Sequence, residues 1–167
     1  EEGEYFLAEL VVAGEIMKEA MIILQAEQGT SGLRPIGRVI VATVKGDLHD
    51  IGKNVVVYML RGAGFEVTDM GVDVQKEKVV EIVEKEKPDI VALSALLTTT
   101  IPEIENTVRA LEDVGVRHGV KVIIGGAPVT LEFAKKIGAD AFGKTAFEGV
   151  QICKAWVATK PMANERV

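Results

Sequence analysis

This sequence predicts an α/β fold built on a doubly wound, five-stranded parallel sheet, and three observations point to it. Beyond residue 32, short β-branched segments alternate with amphipathic ones, the pattern of repeated strand–helix units. The chain is 48% hydrophobic but only 5% aromatic. Its core must therefore be Val, Ile, Leu and Ala, which suits a parallel sheet buried under helices on both faces. Finally, three unusual segments, 46–52, 94–100 and 125–128, follow the first, third and fourth predicted strands. Open α/β sheets bind ligands beyond the carboxyl ends of their strands.

The elements follow in order. Residues 5–27 read as a helix, with Phe6, Leu10, Ala13, Met17, Met21 and Leu24 at three- and four-residue spacing. Leu7, Val11, Val12, Ile16, Ala20 and Ile23 widen the apolar face, so this helix wants cover on more than one side. Gly29-Thr30-Ser31-Gly32 with Pro35 reads as a linker. Strand one spans 38–44, and helix 52–61 is punctuated by Gly62 and Gly64. Strand two covers 65–69, and the amphipathic helix 75–87 stops at Pro88. Strand three covers 89–94, and helix 101–115 carries Pro102 in its first turn, where proline is tolerated. Strand four spans 121–124, helix 130–137 ends before Gly138, strand five spans 140–142 and helix 147–159 closes the fold. A polar tail, 160–167, follows. Short connections favour the strand order 2-1-3-4-5, with its switch point between strands one and three.

Composition limits the function. A length of 167 residues suits one well-filled domain with a small appendage, divided at 1–32 and 33–167. The formal net charge is −6 and no long basic run occurs, which disfavours nucleic acid as a partner. One cysteine, Cys153, excludes an intrachain disulfide and the Cys-rich zinc patterns. No apolar run reaches the ~20 residues of a membrane span, and no signal-peptide pattern opens the chain. A cytoplasmic protein with no membrane partner is the simplest reading. The chain begins at Glu1-Glu2-Gly3, which suggests a piece of a longer polypeptide; a processed native start is the alternative.

The chemistry concentrates in the three segments. In Gly46–Gly52, a run of β-branched residues gives way to a carboxylate, Asp47, and an imidazole, His49, two residues apart. An acid paired with an imidazole fixes its tautomer and raises its basicity as a metal ligand. The competing reading is a loop histidine satisfied by a backbone carbonyl. Zinc suits the site poorly, because no Cys or His cluster accompanies His49, and His118 reads as a solvated loop residue. A single imidazole suits a metal whose other positions a macrocycle fills. The hydroxyls of Ser94, Thr98, Thr99 and Thr100 either cap the following helix or bind a large polar ligand along the sheet edge. Gly125-Gly126 either makes a plain strand-to-helix turn or admits close approach of a ligand.

These residues carry a family resemblance. Asp47-Leu48-His49-Asp50-Ile51-Gly52 matches D-x-H-x-x-G, Ser94-Ala95-Leu96 matches S-x-L, and Gly125-Gly126 matches a later G-G, in the same order and approximate spacing. Over nearly its whole length the chain resembles the cobalamin-binding module of methionine synthase. It is more similar still to the small corrinoid proteins of methanol, methylamine and betaine methyltransferase systems. The resemblance implies a flavodoxin-like fold preceded by the last helix of a helical cap, with Glu4-Tyr5-Phe6-Leu7 and Met17-Lys18 in that helix.

It also implies cobalamin as the cofactor, cycling between methylcobalamin and cob(I)alamin. His49 would ligate cobalt in place of the cofactor's own base, Asp47 would accept the other imidazole proton, and Thr100 would complete this ligand relay. Protonating the relay would weaken the cobalt bond. Gly46, Leu48, Asp50, Ile51 and Gly52 would surround the ligand residue. Ser94 and Thr98 would hydrogen-bond the displaced nucleotide tail, Leu96 would pack on it, Gly125 and Gly126 would give it room, and Thr145 would border it. Phe6, Ala13 and Met17 would either shield the upper face of the cofactor or serve as ordinary bundle core.

The implied function is that of a methyl carrier, not catalytic alone. Its implied partners are a substrate methyltransferase, an acceptor methyltransferase using tetrahydrofolate or a thiol, and a corrinoid-reactivating protein. Alternatives are the cobalamin module of a full-length methionine synthase, an adenosylcobalamin-dependent mutase or regulator, and a receiver domain without cobalamin. The last needs an aspartate where Ser94 ends strand three.

Overall fold

In the computed structural model, residues 35–159 are described, together with Val12, Ile16 and Glu19, which are helical and exposed. The rest of the predicted helix 5–27, the glycine-rich linker and the tail 160–167 lie outside the described residues. The chain divides into two units, Glu1–Arg34 and Pro35–Val167, and the sheet belongs to the second.

Within residues 35–159, five strands alternate with five helices: β1 (Arg38–Thr43), α1 (Ile51–Gly62), β2 (Glu66–Asp69), α2 (Lys76–Glu86), β3 (Ile90–Ser94), α3 (Ile101–Asp113), β4 (Lys121–Gly125), α4 (Leu131–Lys136), β5 (Ala141–Gly143) and α5 (Ala146–Ala158). A 3-10 turn, Arg117–Gly119, precedes β4 and carries the exposed His118. All strand pairs are parallel, and the order is β2-β1-β3-β4-β5. The predicted doubly wound, flavodoxin-like sheet is therefore the one that forms. Its switch point lies between β1 and β3, where chain connections leave to opposite faces.

Side chains alternate across the sheet, as the strand period of two requires. Ile40, Ala42, Val91, Leu93, Val122 and Ile124 pack on one face against Val79 and Val83 of α2 and Ile104, Val108 and Leu111 of α3. Val39, Val41, Ile90, Ala92 and Ile123 pack on the other against Val57 and Leu60 of α1 and Val150 and Cys153 of α5. Burial pushes the Cys153 thiol up to about 12, so this cysteine serves as a small core hydrophobe.

Element ends depart from the sequence reading at a few places. β1 stops at Thr43 because Val44 leaves the ladder for a lone bridge to Val74, while its N–H still donates to the Ser94 carbonyl. β4 extends one residue, to Gly125, which pairs with Ser94 and Gly143. α3 ends early because Gly115, at φ +79, turns into the left-handed region.

Register sets up the site. Thr43 is level with Ser94, Ser94 with Gly125, and Gly125 with Gly143. The exits of four strands thus open side by side on the carboxyl edge of the sheet.

Candidate functional site

The turn after β1 delivers Asp47 into the protein. Gly46 takes φ +77, a conformation open to glycine, and the Asp47 N–H closes the turn onto the Val44 carbonyl at 3.1 Å. The Asp47 side chain is fully buried, at 0% exposure. A buried carboxylate must be satisfied throughout, and this one is. Its Oδ2 accepts from the Leu96 N–H at 2.7 Å, the Leu97 N–H at 3.3 Å and the Thr100 hydroxyl at 2.7 Å. Its Oδ1 accepts from the His49 N–H at 3.1 Å and stands 2.7 Å from His49 Nδ1.

Burial alone would raise the Asp47 pKa. The Leu96 N–H, the Thr100 hydroxyl and the His49 ring and backbone outweigh it and hold the carboxyl well below the usual carboxylate range. The group is therefore an anion at neutral pH. An anionic partner places the imidazole proton on Nδ1 and leaves the Nε2 lone pair free. The His49 side chain is half exposed, so one ring edge is anchored and the other faces outward. The Thr43 hydroxyl fixes the loop from beneath by donating to the His49 carbonyl at 3.0 Å.

The sequence candidates fall around this pair in different ways. Leu48 and Ile51 are exposed beside it, as are Leu96 and Leu97 across the β1–β3 crevice. Asp50 stands at the N-cap of α1 without capping it, and its Oδ2 accepts from Asn54 at 3.0 Å. Gly52 faces open space: a Cβ there would meet no atom within 4 Å. Ser94 is partly exposed at the end of β3, and Thr98 is exposed in the following loop.

Thr100 sits at the N-cap of α3, yet its hydroxyl does not cap the helix; it turns inward to Asp47. Thr145 does cap α5, accepting from the Glu148 N–H at 3.1 Å, so its hydroxyl has a structural use. Gly126, at φ +125, has a steric reason within the chain: an added Cβ would lie 1.8 Å from the Ala95 carbonyl oxygen.

Two residues beside the site escaped the sequence reading. Lys53 is 3% exposed, and its Nζ donates to both Asp69 oxygens at 2.6 and 2.7 Å and to Asn54 Oδ1 at 2.7 Å. The signal was a lysine at i of the stripe Lys53, Val57, Leu60, the buried face of α1. The second, Asp73, leaves no comparable mark in the sequence. Its carboxylate accepts from the Gly46 N–H at 2.7 Å.

Among the described residues, no group of three or more His, Cys, Asp or Glu could hold a metal ion, and no helix is long and apolar enough to cross a membrane.

Known proteins share this sequence pattern and fold. The B12 binding domain family matches residues 37–151. The trimethylamine corrinoid protein 2 of Methanosarcina acetivorans is 44% identical over 157 residues, 93% of this chain and 72% of the relative. The structure of the Methanosarcina barkeri monomethylamine corrinoid protein superposes with a TM-score of 0.74 at 35% identity, covering 91% of this chain and 72% of that one. A chain of the methanol:cobalamin methyltransferase complex from the same organism gives a TM-score of 0.73 at 31% identity, covering 95% of this chain and 60% of that one.

Proposed function

This chain belongs to the B12-binding corrinoid proteins of methyltransferase systems, and from that premise we propose that it is a methyl carrier holding its corrinoid base-off, with His49 as the lower cobalt ligand. The residues present fit such a group. An outward imidazole edge, an anionic anchor behind it and exposed Leu48, Ile51, Leu96 and Leu97 around it form a setting for a large, flat, partly apolar cofactor. The cofactor, when bound, supplies a cobalt centre that accepts and gives up a methyl group.

The protein's part is to hold and tune. Asp47 keeps the proton at His49 Nδ1 and turns Nε2 toward the metal position. Thr100 and the Leu96 N–H keep Asp47 anionic, which makes the imidazole a stronger donor. A proton added to the Asp47–His49 pair would weaken that donor, so the pair couples ligand strength to protonation. Ser94 and Thr98 would hydrogen-bond the nucleotide tail, Leu96 would pack on it, the Gly125-Gly126 turn would leave it room, and Thr145 would border it. Residues 1–32 would carry the last helix of a helical cap.

Two partner enzymes complete the cycle in this reading: a methyltransferase that loads the carrier and one that unloads it to tetrahydrofolate or a thiol. A reactivating protein restores the corrinoid after oxidation, and the whole system is cytoplasmic. The likeness to a chain of a methanol:cobalamin methyltransferase complex supports a methyltransferase partner. The methionine synthase and regulator alternatives gain no support from relatives matched over 72% of their length.

The observation that carries this reading is the 2.7 Å contact between His49 Nδ1 and a buried, fully hydrogen-bonded Asp47. The test is incubation with hydroxocobalamin, gel filtration and an absorption spectrum, beside His49→Ala. A retained corrinoid whose spectrum changes in the mutant is the expected result. An identical spectrum in both proteins would overturn His49 ligation.

A further inference from the structure

We propose that Asp73, outside the D-x-H-x-x-G segment, is a positioning residue that fixes the Asp47–His49 pair through the backbone of residues 46 and 47. The inference rests on the reading of His49 as a ligand. Asp73 lies in the loop between β2 and α2, and β2 is the strand beside β1. Its Oδ1 accepts from the Gly46 N–H at 2.7 Å, and its own N–H donates to the Asp47 carbonyl at 3.0 Å. One residue therefore grips both sides of the turn that presents Asp47.

Its backbone is held in an unfavourable region to do so, at φ 52, where aspartate is among the few side chains tolerated. The loop around it is tied to the end of β1: Met70 N–H donates to the Val41 carbonyl, Thr43 N–H to the Gly71 carbonyl and Val74 N–H to the Thr43 carbonyl, at 2.9 to 3.0 Å. Asp69 anchors the loop at its start, accepting the Gly71 N–H at 2.9 Å and the buried Lys53 ammonium. The Asp47 backbone is thus held from the β2 side while its carboxylate is held from the β3 side by Leu96 and Thr100. A carboxylate fixed at both ends gives the imidazole one orientation.

The test compares Asp73→Gly with Asp73→Asn. Glycine keeps the left-handed backbone and removes the acceptor; asparagine keeps both. Two quantities are read: amide hydrogen exchange of Gly46 in the cofactor-free protein, and the absorption spectrum of the hydroxocobalamin complex. In Asp73→Gly we expect Gly46 exchange to rise about tenfold, the loss of one charge-assisted hydrogen bond. The retained corrinoid should also shift toward the spectrum of His49→Ala. Asp73→Asn, which keeps a neutral acceptor, should stay near wild type in the spectrum and fall between wild type and Asp73→Gly in Gly46 exchange. Wild-type exchange and spectrum in Asp73→Gly would overturn the proposal, as would equal impairment of Asp73→Asn. Should His49→Ala leave the spectrum unchanged, the ligand reading fails instead, and Gly46 exchange still decides whether Asp73 clamps the turn.

Discussion

The Thr100 hydroxyl stands 2.7 Å from Asp47 Oδ2, joining residues 53 positions apart across the crevice between β1 and β3. Thr100 is itself buried, at 6% exposure, and gives up the capping role that its place at the start of α3 offers. A hydroxyl has one proton, and the Leu97 carbonyl also lies within reach at 2.9 Å. The anionic acceptor wins that competition, because charge-assisted hydrogen bonds are roughly twice as strong as neutral ones.

Replacing Thr100 therefore separates packing from proton placement. Thr100→Val keeps the shape and removes the donor, and should destabilise the fold by about 1–3 kcal/mol. Thr100→Ser restores the donor and should recover most of that loss. Urea unfolding of the two variants checks this, and equal stabilities would show that the hydroxyl contributes nothing.

Asp47→Asn changes the tautomer rather than the shape. An amide keeps one oxygen for Leu96 and Thr100 but turns its NH2 toward His49 Nδ1, so the ring proton moves to Nε2. The variant should fold, retain less corrinoid than wild type and lose the His-on spectrum. The nitrogen-15 shifts of the His49 ring report the tautomer directly; Nδ1 still protonated in the variant would contradict the assignment.

Gly52→Ala tests whether the glycine serves the ligand or the chain. A Cβ there meets nothing, and alanine in a helix is more favourable than glycine by about 0.8–1.0 kcal/mol. The cofactor-free variant should match or exceed wild type in melting temperature while binding hydroxocobalamin more weakly. Wild-type affinity in the variant would remove Gly52 from the ligand-binding set.

The acid side of the stability curve should follow two carboxylates. Asp47 is held low by Leu96, Thr100 and His49 against the opposing effect of burial. Asp140, at the amino end of β5, is more exposed than Asp47 and is held low by Lys121, the Val122 N–H and Arg117 against partial desolvation. A depressed folded value means that the unfolded chain binds more protons on acidification. Stability should be level above about pH 5 and fall as pH drops through the ordinary carboxylate value of about 3.9 toward the folded values. Asp140→Asn should flatten that slope in urea titrations at stepped pH; an unchanged slope would exclude Asp140 from the linkage.

Much of this was legible in the sequence, for physical reasons. Strand–helix alternation and the scarcity of aromatics predicted the sheet, and its order followed from short connections. The clustering of Asp47, His49, Ser94 and Gly125 at one edge followed from that order, because each ends or follows a strand. The route of the Thr100 hydroxyl was not legible, since a threonine ahead of a helix reads equally well as a cap. Thr145-Ala146-Phe147-Glu148 is the reverse case: the spacing of a capping box was there to be read, and Thr145 caps the helix, although Glu148 Oε2 accepts from the Lys144 N–H, one residue before the cap. Asp73 was hidden because its contacts with Gly46 and Asp47 arise only once β2 lies beside β1. Gly126 is required by the Ala95 carbonyl, a contact between two loops that no local pattern reveals.

The most direct test of the central claim is electron paramagnetic resonance of the protein loaded with cob(II)alamin, using histidine labelled with nitrogen-15 and unlabelled cofactor. Ligation by His49 predicts that the threefold nitrogen splitting of the cobalt lines becomes twofold on labelling and vanishes in His49→Ala. A threefold splitting that survives labelling would mean that the cofactor's own base holds the cobalt, and would contradict the account.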